Sequence, residues 1–275
     1  EIGEYEAKAT WRGGAHQVDV WFLQASDGLH FVSDPDEQTL FSFEGGLRTE
    51  NRLSLGAASW RWAGERLRAG STFALVHDRQ ESQRTGAQAA GEASSLLSST
   101  DARLLDLVLR ADAELRTHGK NRLRFGVDLD SWSQRFTGRV EDTRSTPPWL
   151  GLPMADYHRG RLDIEPALRR LGAGLYLDDE WQELLPGFTP RAGLRLELAQ
   201  GAAPTLSPRL ALSWRPFAPT VLKAAWGIYH QQPRSPLELD PTYGNPGLEA
   251  ERATHYILGL EQLLPWRTLL RVEGY

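Results

Sequence analysis

The feature that most constrains this chain is a two-residue alternation of apolar and charged side chains, sustained over segments too long for an ordinary soluble sheet. Between Asn121 and Phe136, Leu123, Phe125, Val127 and Leu129 alternate with Arg122, Arg124, Gly126, Asp128 and Asp130. The preceding segment sets Leu105, Leu107, Leu109, Ala111, Ala113 and Leu115 against Asp106, Arg110, Asp112, Glu114 and Arg116, with Val108 the one apolar residue out of phase. Successive side chains of a strand point to opposite faces, so each segment presents one apolar and one charged face. His118-Gly119-Lys120 between them is a tight-turn signal that makes the pair a hairpin.

The pattern recurs along the chain. Leu67, Ala69, Phe73 and Leu75 oppose Arg66, Arg68, Gly70 and Thr72; Leu194, Leu196 and Leu198 oppose Gly193, Arg195 and Glu197. Leu210, Leu212 and Trp214 oppose Arg209, Ala211, Ser213 and Arg215, and Leu222, Ala224, Trp226 and Ile228 oppose Lys223, Ala225, Gly227 and Tyr229. This amounts to about twelve strands of about 9 to 16 residues, against about 5 to 6 for an average soluble strand. A tilted strand crossing a bilayer needs about 9 to 11. Short connections at Gly13-Gly14, Gly64-Glu65, Gly119, Pro186-Gly187, Ala218-Pro219 and Pro265-Trp266 alternate with long polar ones, Arg79 to Asp101, Thr137 to Pro166 and Gln231 to Ala250. Short turns on one side and long loops on the other are expected of an antiparallel up-and-down transmembrane β-barrel, with periplasmic turns and extracellular loops. The Ala-, Gly- and Ser-rich stretch Gly86 to Thr100 reads as a mobile loop. No domain boundary is visible, so residues 1–275 read as a single barrel region.

Composition agrees with a barrel and excludes other classes. The mean hydropathy of -0.45 is polar, as it must be when half the strand residues face a wet lumen. No window of about 18 to 20 apolar residues marks a membrane helix. With no cysteine, disulfides, thiolate catalysis, iron–sulfur ligation and cysteine-type zinc sites are excluded. A net charge of -5 argues against nucleic acid as a partner. The chain opens at Glu1 with neither an initiator Met nor a signal peptide, which suggests a mature piece or a fragment.

Six of the ten tryptophans, Trp11, Trp60, Trp62, Trp181, Trp214 and Trp266, fall within a few residues of a short turn. Indoles favour the headgroup level of a bilayer, so these are the expected periplasmic aromatic girdle. Trp132 and Phe136, beside a long loop, are expected in the extracellular one. The charged phase, Arg110, Asp112, Glu114, Arg116, Arg122, Arg124, Asp128, Asp130, Arg195, Glu197, Arg209 and Arg215, is expected to line the lumen. There, ions of opposite sign on neighbouring strands pair and stay hydrated.

Catalytic signatures are absent: no HExxH, GxSxG, Walker A or EF-hand loop occurs, and Gly172-Ala173-Gly174 does not complete a dinucleotide fingerprint. Asp178-Asp179-Glu180 is the densest carboxylate run, yet on a strand Asp179 faces away from the other two. Asp34-Pro35-Asp36-Glu37 lacks the glycine and spacing of a calcium loop, and His158, His230 and His255 share no metal-ligand spacing. No enzyme, metal or cofactor is expected.

From about Gly174 onward the sequence resembles the β-barrel region of TonB-dependent outer-membrane receptors. The likeness is carried by GLYLDDEW at Gly174 to Trp181, AGLRLEL at Ala192 to Leu198, SPRLALSWRP at Ser207 to Pro216 and AAWGIYHQQP at Ala224 to Pro233. It continues in YGNPGLEAERATHYILGLEQ at Tyr243 to Gln262 and LRVEGY at Leu270 to Tyr275. The resemblance implies a barrel of about twenty-two strands in the bacterial outer membrane, plugged by an N-terminal domain. It further implies import of a metal chelate, vitamin or glycan with energy delivered through TonB. No plug or TonB box is visible, and about twelve strands are too few, so the chain is expected to be a middle slice of the wall. Its sheet is then expected to be open, its first and last strands unpaired. Partners implied are the lipid bilayer, the TonB complex acting through a plug absent from the chain, and a small-molecule or glycan ligand. Loops carry specificity; the best-stocked positions are Trp149, Tyr157, His158 and Arg159 in one loop and Arg234 and Tyr243 in another. Two other readings remain open: a passive twelve-stranded channel, and a soluble all-β binding protein.

Overall fold

The computed structural model describes residues 2–33, 45–86, 96–117, 120–141, 161–242 and 244–275. Its strands are β1 (Ile2–Gly13), β2 (His16–Ser33), β3 (Gly45–Ala63), β4 (Leu67–Gly86), β5 (Leu96–Arg116), β6 (Asn121–Glu141) and β7 (Arg161–Ile164). They continue with β8 (Ala167–Trp181), β9 (Phe188–Ala199), β10 (Thr205–Phe217), β11 (Thr220–Gln231), β12 (Glu251–Leu264) and β13 (Thr268–Gly274), with one short helix α1 (Pro236–Leu239) between β11 and β12. All lie in one antiparallel sheet in chain order, except that β7 pairs with the far end of β6 and β8 continues the path. Twelve strands make the up-and-down path, and β1 and β13 end it unpaired with one another. The open antiparallel meander expected from the sequence is what the chain forms.

Register fixes the two faces. Leu109 pairs with Leu129 and Phe73, and Ala113 with Phe125 and Ala69. Phe125 pairs with Leu177, Leu177 with Leu194, and Leu194 with Pro208. These residues therefore share one face, and nothing covers it: Phe125 is 43% exposed and Leu175 49%. The only buried hydrophobic residues described are Trp132, Ile164 and Leu239. A soluble sheet does not leave so large an apolar face bare; the outer face of a transmembrane barrel does.

The structure corrects the sequence reading at four places. Strands β2 to β6 run 18 to 21 residues, longer than expected, because the polar stretches Arg79 to Asp101 and Thr137 to Pro166 begin and end as ladder. Arg79 to Gly86, Leu96 to Asp101 and Thr137 to Glu141 are all strand, and Leu96 to Thr100 is no mobile loop. Above the lipid both faces meet water, so alternation fades while hydrogen bonding continues. The connection from β9 to β10, Gln200 to Pro204, is short although it lies at the long-loop end. Trp132 and Phe136 are no part of an outer girdle: their register partners Arg170, Asp106 and Ala102 place them on the polar face, and Trp132 is 5% exposed.

On β5 the apolar face runs from Leu115 to Leu105. The ten steps between these two residues at ~3.3 Å each, tilted by ~40°, project to about 25 Å, the height of a barrel's lipid band. Placing an arginine at Leu175, midway along that face, is expected to lower stability by about 2–4 kcal/mol, whereas the same change at Leu67, beside a turn, costs about 0–1. Urea titration of the variants in lipid vesicles measures the difference.

Candidate functional site

The polar face is built by the strand phase that the apolar face leaves over. Arg110, Asp112 and Glu114 of β5, Arg122, Arg124, Asp128 and Asp130 of β6, Arg195 and Glu197 of β9, and Arg209 of β10 all fall on it by register, whereas Arg215 lies in a bulge of β10 outside the paired register. Its centre is Asp128, whose carboxylate accepts from Arg110 Nε at 2.6 Å and from Arg195 Nη1 at 2.7 Å. Arg195 also donates to Glu197 at 2.8 Å. A second cluster joins Arg124 to Glu114 at 3.0 Å, with Glu180 and Arg116 at 3.9 Å from its members. Arg191 holds Asp178 at 2.6 Å. Asp178 and Glu180 thus face the polar side, while Asp179 on the other face accepts from Asn121, so the carboxylate run is split as the strand geometry requires. Arg209 lies over the Tyr229 ring at 4.8 Å. Asp112, Arg122 and Asp130 share the face without an ion pair among the described residues.

The Asp128 bridge spans three strands, because Arg195 must cross β8 to reach β6. Gly174 stands at the crossing, opposite both Asp128 and Glu197. A Cβ there would lie 2.5 Å from Arg195 Nη2. The missing side chain is the gap through which the guanidinium passes.

Toward the long-loop end the polar face is roofed. Arg170 Nη1 donates to the Pro233 carbonyl at 3.0 Å, tying the segment after β11 to the wall. Ser235 caps α1, whose Pro236 and Leu239 are buried, and α1 packs on β6. Beneath lies a cavity of about 410 Å³ lined by Asp130, Trp132, Arg170, Glu197, Gln232 and Arg234, among others. Both polar atoms of the Gln232 amide are buried without a hydrogen-bond partner among the described residues. Nearby, His230 Nδ1 and Ser207 Oγ are 3.1 Å apart. Beyond the wall proper, Arg139 holds the Asp163 carboxyl below its usual range by a hydrogen bond of 2.8 Å. Among the described residues no cluster of three His, Cys, Asp or Glu fits a metal.

Of the loop residues singled out from sequence, Arg234 lines this cavity; Trp149, Tyr157, His158, Arg159 and Tyr243 lie outside the described residues, as does the Asp34 to Glu37 run. Sequence reading missed Gln232, Arg170 and Trp132 as cavity residues. The parity of Trp132, in phase with Asp128 and Asp130, was the available signal; nothing local marks Gln232. Trp11, Trp60, Trp62, Trp181 and Trp214 all take apolar-face positions near the short turns, with Trp60 Nε1 3.2 Å from His16 Nδ1. Trp266 sits in a turn, 94% exposed.

Residues 9–275 match the sequence profile of the family described as TonB dependent receptor-like, beta-barrel. The chain belongs to that family. It is accordingly a bacterial outer-membrane protein, and the family is one of transport receptors and not of enzymes. No curated protein matches the sequence. Among solved structures, the outer membrane transporter YddB from Escherichia coli shares 11% identity over 99% of this chain and 39% of its own, with a TM-score of 0.70. The ferric yersiniabactin uptake receptor FyuA from Yersinia pestis shares 12%, over 96% and 43%, at 0.63. The FrpB iron transporter from Neisseria meningitidis shares 16%, over 95% and 43%, at 0.62. At these identities the likeness establishes the fold, and the chain spans about two fifths of each of these structures.

If Asp128 clamps three strands, Asp128→Ala is expected to cost about 1–2 kcal/mol by leaving two guanidiniums unpaired. Combining it with Arg195→Ala should cost less than the sum of the two, by about 0.5–1 kcal/mol. A double-mutant cycle on urea unfolding reads that coupling directly.

Proposed function

We propose that this chain forms one arc of the wall of a plugged barrel of about twenty-two strands, and that the whole receptor imports a scarce ligand using energy delivered through TonB. The observation that carries the reading is the roofed cavity on the polar face. Loop and wall meet there, a buried amide lacks partners among the described residues, and Arg170, Arg234, Asp130 and Glu197 offer charge of both signs. Buried polar groups are ordinarily satisfied, so an unpaired Gln232 amide is suited to a polar ligand passing from the loops into the lumen. The charged wall below supplies hydrated steps along that path, and the loops, including Trp149, Tyr157, His158, Arg159 and Tyr243, supply first capture. The tryptophans at the turn end fix the depth of the wall as a periplasmic girdle.

Metal chelates are the first ligand class to test, ahead of vitamins and glycans, since FyuA is named for ferric yersiniabactin and FrpB for iron. A passive channel is the competing reading. The complete receptor in planar bilayers is expected to show no steady conductance, and uptake of a radiolabelled ferric chelate by cells should cease when TonB is deleted or the proton gradient is collapsed. Conductance, or uptake indifferent to both treatments, selects the channel. Within the transported class, Gln232→Leu is expected to raise the half-saturating concentration about tenfold, the loss of one buried polar contact of about 1.4 kcal/mol, with barrel stability unchanged in urea titration.

A further inference from the structure

The polar face is not uniform around the arc. On β6 to β10 it carries the ion pairs described above, but on β2 to β5 its middle rows are apolar. Leu23 of β2 pairs in register with Leu55 of β3, and Leu55 with Val76 of β4. One row nearer the turns, Trp21 pairs with Ala57, Ala57 with Ala74, and Ala74 with Val108 of β5. One row nearer the loops, Ala25 pairs with Leu53. The same ladder settles which face this is: Val76 pairs with Asp106, Asp106 with Trp132 and Trp132 with Arg170, while Val108 pairs with Asp130. Val108, out of phase in the sequence, is therefore the margin of a patch and not an isolated exception.

Polar borders frame the patch. On the turn side, Asp19 accepts from Thr10 at 2.7 Å and from Arg61 at 2.6 Å; on the loop side, Asp27 accepts from Asn51 at 3.0 Å. Trp21 donates its indole N–H to Glu6 at 2.9 Å, which satisfies its one polar side-chain atom. An apolar centre inside a polar rim is the anatomy of a protein interface. Leu23, Leu55, Val76 and Val108 are half-buried, and α1 lies over β6, away from them. Water alone leaves so large an apolar patch bare, and lipid does not reach it, because it shares the face of the ion pairs. On β5 and β6 the opposite holds. Asp112, Arg122 and Asp130, without an ion pair among the described residues, cost more under dry protein than in water.

The lumen of a barrel of about twenty-two strands is too wide for wall side chains to fill and is plugged. The chain spans about two fifths of each solved structure described above. Ten more strands would use less chain than these twelve, so a receptor of that length has a domain left over for its lumen. We infer that this domain is seated dry on the patch of β2 to β5 around Leu55 and Val76, and that the water-filled space beside it lies along β6 to β10. The inference rests on the plugged-barrel reading and adds to it which arc of the wall holds the plug. A transported ligand fits the patch less well than a domain, since ligand sites are concave and this surface spreads over four strands of open sheet.

The test uses the complete receptor purified in detergent, with any cysteine elsewhere replaced by serine; residues 1–275 contain none. Leu55→Cys and Val76→Cys probe the patch, and Asp112→Cys and Ala211→Cys probe the same face of the charged arc. Each is timed for reaction with a charged maleimide. The two patch variants are expected to react at least tenfold more slowly than the other two, and all four to react alike after unfolding in guanidinium. In planar bilayers, Leu55→Glu/Val76→Glu is expected to pass steady current where wild type and Asp112→Asn pass none, with circular dichroism confirming that each variant is folded. If wild type is closed but the patch variants react as fast as Asp112→Cys, or if Leu55→Glu/Val76→Glu is folded and closed, the seat is refuted and the plugged reading stands. Steady current through wild type overturns the plugged reading and the seat with it.

Discussion

Everything in this chain depends on the backbone ladder being complete before any side chain packs. The sheet has no core to speak of: among the described residues only Trp132, Ile164 and Leu239 are buried hydrophobics, too few to hold 275 residues together by apolar burial within the protein. What is continuous is the strand pairing, with eleven consecutive neighbours along the path from β1 to β13 and register shifts only at Arg84/Thr85 and Trp214/Phe217 among the described residues. In hydrocarbon no water competes for amide and carbonyl groups, so a ladder without gaps is the condition for crossing at all. The apolar face contributes when lipid covers it, and the polar face when water and opposed charges do. Stability is thereby divided between the protein and two solvents, and each face is intelligible only with its solvent in place.

That division explains what was legible in the sequence. Inside the lipid band the two faces differ sharply, so alternation around Leu123 to Asp130 or Leu194 to Glu197 declares both the strand and its orientation. The turns at Gly14, Gly64 and Pro186-Gly187 then fix which strands neighbour. Above the band both faces are wet, the contrast disappears, and Arg79 to Thr85 reads as loop although each residue pairs with β3 and β5. Trp132 shows a different failure. Its parity already placed it with Asp128 and Asp130, but its nearness to a loop suggested a girdle, and the structure sides with parity. The cavity was illegible for a third reason: Asp130, Arg170, Glu197 and Gln232 come from four separate stretches of chain, and only the sheet brings them together.

The polar face also shows how a wall one residue thick is made rigid. Neighbouring strands are already joined by backbone bonds, so a side-chain pair between adjacent strands adds little that the ladder lacks. The bridge from Arg195 to Asp128 is different, since it passes over β8 and resists a change of angle between β6 and β9. It needs a guanidinium long enough to span two ladder steps, a carboxylate shared with Arg110, and the bare backbone of Gly174 under the crossing. Such clamps are expected wherever a wide lumen has to keep its shape without a packed interior.

The two rims of the lipid face complete the same logic. Tryptophan at the turn end is tolerant: an indole is content at any headgroup layer and sets depth without choosing a lipid. Arginine at the loop end is selective, because Arg52, Arg79, Arg103 and Arg135, in register on four neighbouring strands, repel one another until anions stand between them. Glu50, Glu81 and Asp101 supply some of those anions, and among the described residues Arg135 and Arg169 have no ion pair. A wall with indoles at both ends could slide or invert at little cost, whereas a wall with an arginine row at one end favours having that end in the headgroup layer. The arginine row thus makes the loop end of the wall unlike its turn end.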